Sequence, residues 1–94
     1  MTKELDANFF NRATAVINLV NEYIKTDDRQ LVGASLMLAS ARFNSWVAAV
    51  ANGSPEVMTA DREQYIEGMT QYFRGLLQDQ YDDYIANYDQ YIRE

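Results

Sequence analysis

Residues 31–51, LVGASLMLASARFNSWVAAVA, leave this chain few options. The stretch holds twenty-one residues with no proline and one charge, at Arg42. Val32, Leu36, Ala39, Phe43, Val47 and Val50 recur at helical spacing and form one stripe of an α-helix. Leu31, Ala34, Leu38, Ala41 and Ala49 widen the apolar surface, leaving a narrow polar strip around Gly33, Ser40 and Asn44. A helix this apolar around its circumference needs cover on several sides, so the expectation is the central helix of a bundle. The length would also cross a membrane. Arg42 and Asn44 argue against that, because a central arginine costs about 2.5–3.5 kcal/mol on insertion scales. The flanks lack anchoring aromatics or a positive cluster, and no basic, apolar leader opens the chain. The sequence therefore reads as soluble and cytoplasmic.

The other elements follow from the same periodicity. Phe9, Ala13, Val16, Ile17, Val20 and Ile24 make the apolar face of a first helix, expected over 7–25 with Asp6 as its cap. A short link, with Asp27 and Gln30 spaced as a capping box, leads to the second helix over 28–52. Asn52-Gly53-Ser54-Pro55-Glu56 is the clearest punctuation. Asn52 or Gly53 suits a left-handed helix stop, Ser54 an N-cap, Pro55 the first helical position and Glu56 the first turn. From 55 to 92 the period stays helical. One helix of that length would extend about 57 Å, against a diameter of about 35 Å for a compact domain of this size. A break is therefore expected at 78–80, with Asp79 as cap, or else at Gly75. The expected third and fourth helices span 55–78 and 80–92. No alternating β-branched run competes. The expected fold is all-α: a compact helical bundle of three long helices and a short C-terminal one, forming one domain over 1–94.

Composition removes whole classes of chemistry. Cysteine and histidine are both absent. No disulfide, thiolate zinc site or cysteine nucleophile can form, and the usual acid–base residue near neutral pH is missing. Di-iron bundles use Glu-x-x-His motifs, which this chain cannot supply. Glu63 with Glu67, and Asp79 with Asp82 and Asp83, read as a solvated acidic face rather than a metal site. No phosphate loop, nucleophile elbow or triad can be assembled. The expectation is a protein that is not an enzyme, with no catalytic residues, cofactor or metal. Net charge is −6, and all of it lies beyond residue 53, where Arg62, Arg74 and Arg93 face nine acids. An acidic surface repels phosphate backbones, which argues against nucleic acid as a partner.

Three segments, FFNRATAVINLVNEYIK, ASLMLASARFNSWVAA and YFRGLLQDQYDDYIANYDQYI, resemble a family of small bacterial proteins known as domain of unknown function 3144. The phenylalanine pair, ARFN and DDYI are the most specific pieces, and the resemblance covers nearly the whole chain. It implies a bacterial, cytoplasmic, all-helical protein. It implies no activity, cofactor or ligand.

Two features remain as candidate sites. Tyr81, Tyr84, Tyr88 and Tyr91 are spaced three, four and three apart, on one side of a helix, with Ile85 and Ile92 alongside. Such a stripe docks on a partner, docks on a second copy in a homodimer, or covers the protein's own core. Arg42, with Asn44, is the candidate buried polar or anion site. The guanidinium would pair with a carboxylate, hold an anionic ligand, or pack its stem and wet its head. The leading expectation is a non-catalytic protein–protein interaction module using the acidic, tyrosine-rich C-terminal region. The alternative is a small-molecule or anion binder, with Arg42 and a polar strip of Asn18, Asn21 and Asn44.

Overall fold

A computed structural model describes residues 6–92. Four helices follow one another: α1 (Phe9–Tyr23), α2 (Arg29–Asn52), α3 (Pro55–Ala86) and α4 (Tyr88–Ile92). No strand occurs among the described residues. The expected all-α class, with three long helices and a short C-terminal one, is what the chain adopts. Contacts divide it after Gly53 into two units, each described here by itself.

In the first unit, α1 starts later than expected. Asp6 does not cap it. The Asp6 carboxylate instead accepts the Asn8 amide at 3.1 Å and the Arg12 guanidinium at 3.0 Å, tying the approach to the helix. Asn8 occupies the cap position without a side-chain bond. The α2 cap is Asp28, one residue beyond the expected Asp27. Asp28 has the extended backbone a cap requires (φ −62°, ψ 127°), and its carboxylate accepts from the amides of Gln30 and Leu31, both at 3.1 Å. No capping box forms. α1 and α2 touch each other across their short link.

The junction at 52–56 is built as its residues dictate. Gly53 stops α2 in the left-handed region at φ 80°, its amide donating to the Ala49 carbonyl. Ser54 Oγ accepts from the Val57 amide at 3.2 Å, Pro55 opens α3, and Glu56 sits in the first turn.

The second unit corrects one expectation. α3 does not break at 78–80 or at Gly75. It runs as 32 residues to Ala86, about 48 Å. Gln78, Asp79 and Gln80 are tolerated inside a helix, and an aspartate becomes a cap only where the preceding turn ends. The interruption falls at Asn87 (φ −121°, ψ 28°). Its side-chain amide donates to the Asp83 carbonyl at 3.1 Å and to Asp83 Oδ1 at 2.9 Å. The short α4 follows.

Neither unit encloses its own apolar faces. The buried hydrophobic residues are Val32 and Ala48, while Trp46 and Phe43 on α2 are each about three-fifths exposed. On α3, Ile66, Phe73 and Leu77 stand about half exposed. No helix among the described residues is long and apolar enough to cross a membrane.

Candidate functional site

The four tyrosines lie around the α3–α4 turn, and all are exposed, from 43% at Tyr91 to 64% at Tyr81. Tyr81 and Tyr84 belong to α3, Tyr88 and Tyr91 to α4. The turn at Asn87 brings the rings of Tyr84 and Tyr91 to 4.9 Å between centroids, tilted by 59°, a favourable aromatic distance.

Asp83 organises this corner. One carboxylate oxygen receives the Asn87 amide and the other accepts the Tyr91 hydroxyl at 2.9 Å. The bond to Asp83 raises the Tyr91 hydroxyl above the ordinary tyrosine range, since the proton it donates is held by a neighbouring anion. Asp83 was read from the sequence only as part of an acidic face. Its signal was there: an aspartate followed four residues later by asparagine and eight later by tyrosine.

The polar and apolar residues of this region are segregated. At 100° per residue, Leu77, Tyr81, Tyr84 and Ile85 fall within about 100° of arc on α3. Asp79, Asp82 and Asp83 fall in a separate arc of similar width, so the acids stand away from the aromatic stripe.

The second candidate pair is not brought together. Arg42 is exposed rather than buried, and it takes part in no ion pair among the described residues. Asn44 is half-buried, and its side-chain amide donates to the Ser40 carbonyl at 2.8 Å. Two residues apart on a helix means nearly opposite sides, so no polar site is assembled from both. Among the acidic residues, Glu63 pairs with Arg62, and Glu67 accepts from Gln71 at 3.0 Å. No group of three or more potential ligands converges on a metal position among the described residues.

The fold thus defines an all-α protein of three long helices and a short one, with an exposed aromatic stripe at its C-terminal turn. The chain belongs to the family described as protein of unknown function DUF3144, whose model matches residues 9–85. No curated protein and no solved structure matches it.

Proposed function

We propose that this protein is a non-catalytic protein–protein interaction module, docking through its acidic, tyrosine-rich C-terminal region. The observation that carries the reading is the exposure of Tyr81, Tyr84, Tyr88 and Tyr91 on two successive helices. Tyrosine offers a large, rigid contact area with a polar tip, and it is enriched at interfaces for that reason. Exposed apolar side chains lying together on a surface favour contact with another protein. A bacterial cytoplasm is the setting that goes with this reading, and the lack of cysteine accords with a reducing compartment.

The test is a Tyr84→Ser/Tyr88→Ser variant, followed by circular dichroism and thermal melting. A docking stripe predicts unchanged helicity and a melting temperature within a few degrees of the parent. A variant that unfolds while the parent is a folded monomer assigns the stripe to the protein's own core and ends the proposal.

A second reading, an anion held at Arg42, draws on that exposed guanidinium and its freedom from ion pairs among the described residues. It has less support, because the Asn44 amide is turned to the backbone of its own helix.

A further inference from the structure

We infer that the α3–α4 corner is a latch with two positions. In the closed one, Asp83 and Asn87 hold α4 bent at the end of α3. In the released one, α3 continues through α4 as a single helix to residue 92. The inference stands apart from the docking reading above, since it concerns the shape of the tyrosine surface rather than what meets it.

The break at Asn87 has a side-chain cause. No proline follows Pro55 and no glycine follows Gly75, so neither of the strong helix breakers stops the chain here. The ladder is helical on both sides. The Asn87 amide donates to the Asp83 carbonyl at 3.0 Å, and the Tyr91 amide to the Asn87 carbonyl at 3.1 Å. The backbone departs from helical values at Asn87 itself, with φ −121° and ψ 28°. There the side-chain amide donates to the same Asp83 carbonyl, at 3.1 Å. A side chain inserted into the i→i−4 ladder is a known origin of helix kinks, and asparagine competes for backbone groups in this way.

Two further contacts exist only because the chain bends. In an uninterrupted helix Tyr91 would sit about 10.5 Å along the axis from Tyr84 and about 12 Å from Asp83. Helical side chains all lean toward the N-terminus, so the Tyr84 and Tyr91 rings would stay well apart. Here the ring centroids are 4.9 Å apart, and the Tyr91 hydroxyl donates to Asp83 Oδ2 at 2.9 Å. Asp83 thus ties both sides of the corner, Asn87 on one oxygen and Tyr91 on the other.

Little separates the two positions in free energy. The closed one is held by hydrogen bonds at exposed residues, where water competes and each bond contributes little net. The released one restores an unbroken ladder through residues whose apolar period is helical to 92. Loss of a latch contact should therefore shift the population rather than unfold the end. What changes is the surface. Closed, Tyr84 and Tyr91 form one compact aromatic corner. Released, Tyr81, Tyr84, Tyr88 and Tyr91 line one side of a straight helix over about 15 Å.

The test is NMR on the full chain. The parent should show ring-to-ring nuclear Overhauser contacts between Tyr84 and Tyr91, and a non-helical Cα shift at Asn87. Asn87→Ala and Asp83→Ala should each lose those contacts, while the Cα shifts of 84–91 become helical throughout. Gln90 takes no part in the latch bonds, so Gln90→Ala raises helix propensity in α4 and should keep the contacts. A parent without the Tyr84–Tyr91 contacts would overturn the inference. So would an Asn87→Ala or Asp83→Ala variant that keeps them, or a Gln90→Ala variant that loses them. Coil shifts over 88–92 in Asn87→Ala would also overturn it, because the corner would then be a fraying end with one folded position. None of these failures touches the docking reading, which falls on the separate outcome that Tyr84→Ser/Tyr88→Ser unfolds.

Discussion

Replacing Gly68 and Gly75 with alanine should stabilise this protein, while the same replacement at Gly53 should destabilise it. Gly68 and Gly75 lie inside α3, and a methyl group built on either meets nothing within 4 Å. Each alanine then gains the helix-propensity difference of about 0.8–1 kcal/mol without a steric penalty. The two positions are about 10.5 Å apart along the axis and share no packing partner, so their effects should add to about 1.6–2 kcal/mol. Gly53 also has open space around its methyl position, but its φ is 80°. An L-residue there costs about 1–2 kcal/mol from backbone sterics alone. For a chain of this size, 1 kcal/mol moves the melting temperature by about 4–8 °C. Gly68→Ala/Gly75→Ala should therefore melt roughly 10 °C higher than the parent, and Gly53→Ala roughly 5–10 °C lower, by circular dichroism. Gly68 and Gly75 lie on the side of α3 opposite the Phe73–Tyr84 positions. A fall in the double variant would mean that another backbone packs closely on that side, and the reasoning about which face of α3 is engaged would be refuted.

Other consequences can be checked separately. Asp28→Ala and Ser54→Ala each remove a capping acceptor and should each cost about 1 kcal/mol in denaturant titrations. Asp27→Ala, which removes no cap, should stay within about 0.5 kcal/mol of the parent. The Tyr91–Asp83 bond raises the Tyr91 pKa, so the contact is fully present below pH 10.0, the ordinary tyrosine value, and is lost as pH climbs through the raised one. Tyrosinate absorbance should accordingly show a late-titrating tyrosine that Asp83→Ala returns toward the ordinary range. Arg42→Ala should leave stability within about 0.5 kcal/mol, because the exposed guanidinium holds no ion pair among the described residues. An inorganic phosphate titration followed by NMR should shift Arg42 resonances only if the anion reading holds.

Much of the architecture was legible because helical punctuation is local chemistry. Asn52-Gly53-Ser54-Pro55-Glu56 could be assigned residue by residue, since each does in the fold what its side chain and backbone favour. Adjacent aspartates were harder. Asp27 and Asp28 are chemically alike, and only the extended backbone at Asp28 makes it the cap. The misplaced break in the C-terminal region came from a different kind of argument. It relied on the diameter of a compact domain rather than on any residue at 78–80 that stops a helix, and α3 passes through. Arg42 and Asn44 were grouped because both interrupt an apolar stretch, although a two-residue spacing already puts them on nearly opposite sides. Asp83 escaped attention because its partners, Asn87 and Tyr91, become neighbours only once the chain turns at 87.

The two ends of α3 differ in a way that sets the order in which the helix comes apart. Its first turn has a serine cap, proline and a glutamate facing the positive pole of the helix dipole. Its last turn has no basic residue, and Asp82 and Asp83 lie near the negative pole. Like charge at that pole weakens the final hydrogen bonds, so α3 should open first from its C-terminal end. Amide protons near 80–86 should exchange with deuterated solvent well before those near 60–70. That end also carries the tyrosines. A partner bound there would steady that end, so occupancy should be read as slowed exchange more readily than as a change in shape.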